Sequence, residues 1–162
     1  LCSLPLPLLP LMRPRAAGAR LDAPVTSCDA AVVKPLPHDA SDAALLEFID
    51  GWAALMERED YAAAFGYTDH GAETTWSPDL LRRVVKAYGD GGETQTVTVR
   101  GVPSDVQQRK EVDRWEPNQN DEVGEIWYDL NIDGVASDLT AIFVLVDVED
   151  GLSIRLRDIH VM

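Results

Sequence analysis

The chain has 162 residues, 46% hydrophobic and 26% charged, the balance of an ordinary globular domain. Its formal charge is −14, and residues 41–162 alone hold 25 acids against 10 bases, or −15. A domain that acidic repels phosphate backbones and anionic lipid, which argues against nucleic acid and membrane as partners. No apolar run reaches the ~18 residues of a transmembrane helix.

Residues 1–40 differ from the rest. The opening Leu1–Met12 run is apolar, but Pro5, Pro7 and Pro10 interrupt any helix, and Arg13, Arg15 and Arg20 follow the run instead of preceding it. That is the wrong order for a signal peptide. Val25-Thr26-Ser27-Cys28 has the short pattern that precedes a lipidated cysteine, without the apolar helix that pattern needs. Cys2 and Cys28 both fall in this segment, so no disulfide framework is implied for the folded part. The expectation is a disordered Pro/Ala-rich extension over residues 1–40 and one domain over 41–162, in a cytoplasmic protein.

The first helix starts at Ser41 or Asp42, either of which can cap it, and Leu45, Phe48, Ile49, Trp52 and Met56 form its apolar stripe. A shorter helix follows Arg58-Glu59-Asp60, with Tyr61, Ala64 and Phe65 on one side. Residues 71–76 read as a short extended piece. Ser77-Pro78-Asp79 opens a third helix, whose apolar face is Leu81, Val84, Val85 and Tyr88 and which Gly89 ends. From Glu93 the period becomes alternating. Residues 94–102 read as a strand, and 103–121 as a long loop or a polar edge strand joined to a loop. Three strong strands follow over 122–132, 135–149 and 152–161, joined by Asp133-Gly134 and Asp150-Gly151, the preferred two-residue hairpin turn.

Helices followed by an antiparallel meander give an α+β class, three N-terminal helices covering one apolar face of a sheet of about four to five strands. The opening helix with Glu59-Asp60-Tyr61, then Trp76-Ser77-Pro78, and the closing Arg157-Asp158-Ile159-His160-Val161 resemble the NTF2-like (cystatin-like) cone. Residues 124–130 and Ser137-Asp138-Leu139-Thr140 are similar to an uncharacterised bacterial domain family of that type. The resemblance covers residues 42–162 and implies the cone fold. That superfamily holds enzymes, binding subunits and toxin-immunity proteins alike, so it implies no single function.

Two-residue hairpins set the register. Ile132 then faces Val135, Glu149 faces Leu152, and Asp129 faces Asp138, an unfavourable like-charge pair. One face carries Ile126, Tyr128, Leu139, Ala141, Phe143, Leu145, Ile154 and Leu156. The same register sets Asp158 beside Phe143 and His160 beside Ala141, as the polar floor of a pocket that Trp76, Tyr88 and Tyr128 would also line. There Asp158 would orient His160 for proton transfer. The competing arrangement is a bulge near Asp158 that turns Ile159 and Val161 inward and both polar residues out. The opposite face mixes Trp127, Ile142, Val144 and Val146 with Glu125, Asp129, Arg155 and Arg157, and a dimer partner or the N-terminal segment would cover it.

Other motifs are weak. His38 reads as a solvated linker residue and His70 as a cap of helix-end carbonyls. Three scattered histidines give no metal spacing, Gly89, Gly91 and Gly92 follow a helix where a phosphate loop precedes one, and no catalytic residue or cofactor is assigned. The leading expectation is a non-catalytic acidic binding module acting through protein–protein contact with a basic partner or as a homodimer, in an immunity- or antitoxin-like role. The alternative is a small-molecule carrier or an isomerase/dehydratase-type enzyme working in the cone.

Overall fold

The computed structural model describes residues 35–71 and 74–162; the expectations for residues 1–34 lie outside these. Three helices, α1 (Asp42–Glu57), α2 (Tyr61–Gly66) and α3 (Pro78–Ala87), precede five strands. The strands are β1 (Val97–Thr98), β2 (Lys110–Arg114), β3 (Glu122–Ile132), β4 (Val135–Val148) and β5 (Gly151–Val161). The fold is α+β, with an open antiparallel sheet: β3, β4 and β5 lie side by side, and β1 and β2 both pair with the outer edge of β3.

Each helix begins on a short polar side chain. Ser41 Oγ accepts from Ala44 N, Asp60 Oδ1 from Ala63 N and Ser77 Oγ from Leu80 N, at 3.1 to 3.2 Å. The α1 stripe Leu45, Ile49, Trp52 and Met56 is fully buried, and α1 packs against β1, β2 and β3. The eight residues expected on the core face of the sheet are all buried there. Trp52 meets Phe143 edge-to-face at 5.1 Å between ring centroids, an arrangement aromatic quadrupoles favour. Large side chains thus fill the space between helices and sheet.

The segment expected as a strand over 94–102 is mostly irregular. A 3-10 turn occupies Gly92–Thr94, and β1 keeps only two residues, because Thr96 N turns to Asp133 Oδ1 at 2.8 Å. Within 103–121, β2 is the polar edge strand and the rest is loop. Around residues 71–76 the described residues form no strand; the pairing instead falls at Asp69, which bridges Arg155.

Both hairpin registers depart from the two-residue arithmetic. Ile132 does face Val135, through a turn with φ of 51° at Asp133 and 78° at Gly134. The ladder then slips: Ser137 Oγ donates to Leu130 O at 2.7 Å in place of a backbone amide, and Asp129 comes to face Thr140, not Asp138. No like-charge pair forms. In the second hairpin Val148 faces Gly151, so Glu149-Asp150 is the turn and Glu149 no longer faces Leu152. Gly151 is used in the ladder, where the Leu36 backbone lies against it. A bulge follows at Arg157, so Phe143 faces Leu156, Ile142 faces Asp158 and Thr140 faces His160. Ile159 turns into the core, while Val161 stays exposed at the strand end.

Candidate functional site

The five pocket candidates from the sequence do not share a cavity. Tyr128 is buried on the core face, and its hydroxyl donates to Asp50 on α1. Lys110 Nζ, on the neighbouring β2, donates to the same hydroxyl at 2.8 Å and lies 4.1 Å from the ring centroid. Burial pushes the Tyr128 phenol well above its ordinary value, helped by the Asp50 carboxylate. Burial also pushes the Lys110 ammonium down, against the pull of Asp50 and Asp129. Tyr88, at the end of α3, donates its hydroxyl to Asp138 Oδ1 at 2.7 Å, and burial raises its phenol too. Trp76 is half-buried at the β5 edge, its indole N–H donating to Arg157 O at 3.1 Å.

Asp158 and His160 sit together, but not on the core face. The bulge turns both outward, and His160 Nδ1 lies 2.9 Å from Asp158 Oδ2 with side chains 39% and 54% exposed. Asp158 Oδ1 accepts from Ile159 N at 2.8 Å, which satisfies the amide the bulge frees. A carboxylate-oriented imidazole is what proton transfer needs, but a site for it also needs walls that exclude water. This pair is open to solvent. His70 behaves as a cap: its ring stacks on Phe65 and Nε2 meets Phe65 O.

Ile142, Val144 and Val146, on the second face, are buried without joining the core cluster. Among the described residues, side chains of the strands and of the segments beside them lie over that face. Arg157 bridges Glu122 and Glu125, at 3.2 and 3.0 Å, and Arg109 lies over the Trp127 ring. Arg155 holds Asp69 at 2.8 Å, next to a cavity of about 500 Å³ lined by Trp76, Arg155 and Arg157. Its guanidiniums already have carboxylate partners.

Other cations among the described residues are paired as well. Arg82 pairs with Glu93, Lys86 with Glu59, Lys110 with Asp50, and Arg114 with Asp42. Among the described residues most cations are held by intramolecular partners, and most of the more numerous carboxylates face solvent. Sequence reading missed two features of this surface. One is Trp115, 39% exposed in the β2–β3 loop. The other is a cavity of about 210 Å³ beside it, shared with His38 and Asp147. The aromatic in an otherwise polar, acidic stretch was the available signal.

Among the described residues no helix is long and apolar enough to cross a membrane, and no cluster of three His, Cys, Asp or Glu side chains is placed to hold a metal. Compared with known families, curated proteins and solved structures, the chain matches none.

Proposed function

We propose that this chain is a non-catalytic binding module that captures a basic protein partner through its surface, with an immunity- or antitoxin-like role as one concrete form. The observation that carries the reading is the charge arrangement: intramolecular carboxylates hold most of the cations, and a large excess of acids faces solvent. Such a surface accelerates encounter with positive partners and repels negative ones. The filled core face of the sheet and the solvent-facing Asp158/His160 pair count against the cone-pocket enzyme. An NTF2-like relationship belongs to the same reading, supported by three helices that precede an antiparallel sheet interrupted by bulges.

The test is kinetic. Association with a purified basic partner protein, followed by stopped flow, should accelerate at least about tenfold as salt falls from physiological to low ionic strength. A rate that does not change with salt would overturn the electrostatic reading.

A further inference from the structure

Resting on that reading, we infer that the partner docks at one end of the sheet, with a lysine or arginine side chain entering the cavity between Trp115 and Asp147. The β2–β3 loop, the β4–β5 turn and the segment around Leu36 meet at this end. Leu36 pairs with Leu152, Val148 with Gly151, and Glu122 with Val146. This convergence brings exposed Asp39, Asp113, Glu116, Asp121, Glu149 and Asp150 together. Arg114 also lines the cavity, but its guanidinium is held by Asp42 at 2.9 Å and by Ala40 O at 2.6 Å, which draws its charge toward those partners and leaves the six rim carboxylates in excess.

Acidity alone would select no position; the anchor does. Trp115 is exposed yet fixed, its backbone N–H donating to Val123 O at 2.9 Å and its indole N–H to Glu122 O at 3.0 Å. The loop that presents it is tied by its own hydrogen bonds. Asn118 Oδ1 accepts from Asn120 N and Glu122 N, and Asn118 Nδ2 donates to Glu122 Oε2 at 2.9 Å. Asp147 N donates to Asp121 O at 2.8 Å, which ties the loop to β4. A fixed, exposed tryptophan is the residue type that most often anchors an interface, and its ring face attracts cations. The wall opposite supplies the charge. Asp147 Oδ1 is buried against His38 Nδ1 at 2.8 Å, but the Asp147 side chain is 42% exposed, so its other carboxylate oxygen faces an incoming ammonium or guanidinium. Aromatic face, the exposed edge of the Asp147 carboxylate and the acidic rim together fit a basic segment with one inserted side chain.

The probe is a ten-residue oligolysine peptide, titrated into the protein at low salt while the Trp115 indole N–H is followed by NMR. The indole and the Asp147 amide should shift saturably and early. Trp115→Ala should weaken binding about three- to fivefold, the size of an exposed cation–π contact. Asp147→Asn should weaken it as well. Glu116→Gln/Asp150→Asn should weaken it more than the charge-matched Asp90→Asn/Asp105→Asn, which lies away from this end. Saturable binding that leaves the indole still and survives Trp115→Ala unchanged would overturn the docking site alone. No saturable binding by the wild type would overturn the basic-partner reading beneath it. Indole shifts that track protein concentration without peptide would assign this end to self-association and overturn the inference.

Discussion

Lys86 and Glu59 form an ion pair in which the ammonium is buried and the carboxylate is not, their side chains being 6% and 46% exposed. Lys86 Nζ also donates to Gln95 O at 2.6 Å, so α3, the turn before α2 and the approach to β1 meet at one nitrogen. A buried ammonium without partners would carry a large desolvation penalty.

The pair makes stability depend on pH in a stated direction. The hydrogen bond from Lys86 holds the Glu59 carboxyl below its ordinary value. The folded state therefore binds fewer protons than the unfolded chain near that value, ~4.3. The contribution is complete above it and is lost as pH falls through the lower folded value. Glu59→Gln should cost about 1 kcal/mol at pH 7, discounted for the exposure of the carboxylate, and almost nothing at the acid end. Urea unfolding of both proteins at the two pH values checks this. An equal loss at both would show that charge is not the cause.

Gly151 and Gly66 should respond oppositely to alanine. Gly151 has φ of 143°, and a Cβ there would collide with Leu36 O, so Gly151→Ala must push the Leu36 strand off β5. The expected cost is about 2 kcal/mol or more. A Cβ on Gly66, the last residue of α2, would meet nothing within 4 Å, and alanine there should stabilise by about 0.5 kcal/mol. Thermal unfolding of the two variants measures both signs. A neutral Gly151→Ala would contradict the close backbone approach.

The bulge at Arg157 is testable by burial. Ile159 is 6% exposed, whereas Asp158 and His160 face outward. Ile159→Ala should therefore cost about 2–4 kcal/mol, and Asp158→Asn less than about 0.5 kcal/mol. With a regular ladder the order would reverse, because Asp158 would stand in the core beside Phe143. Chemical denaturation of the two variants separates the cases.

These contrasts mark where sequence pattern carries information. Leu45, Ile49, Trp52 and Met56 repeat at helical spacing, and Ser41 and Ser77 cap in the expected places, because burial and capping are local and periodic. The alternation of Leu139, Ala141, Phe143 and Leu145 set the core face for the same reason. The registers were not legible. They depend on the Ser137 hydroxyl taking an amide's place at Leu130 O, and on the Leu36 backbone lying against Gly151. Neither contact leaves a period in the chain. Spacing at Leu152, Ile154, Leu156 and then Ile159 did signal the second bulge. The surface site was least visible, since Trp115 gains meaning only when Asp147 and His38, from distant segments, arrive beside it.

At Tyr128, Asp50 and Lys110, a buried phenol and a partly buried ammonium pull the alkaline stability in opposite directions. The Tyr128 phenol is raised above its ordinary ~10, so it contributes stability that is complete below that pH and is lost as pH rises. The Lys110 ammonium is lowered, so its burial penalises the folded state at neutral pH and is relieved as pH rises through its folded value. Tyr128→Phe removes the first effect and leaves Lys110 Nζ without its 2.8 Å acceptor. It should cost about 1–2 kcal/mol at pH 7, and the gap to the wild type should narrow above pH ~10. Lys110→Met keeps the aliphatic contact with the ring while removing the partly buried charge, and should lie within about 1 kcal/mol of the wild type. Urea unfolding at neutral and alkaline pH, with phenolate absorbance followed in parallel, reads all three proteins. A Tyr128→Phe protein as stable as the wild type at pH 7 would show that the hydroxyl network adds nothing beyond the packing of the ring.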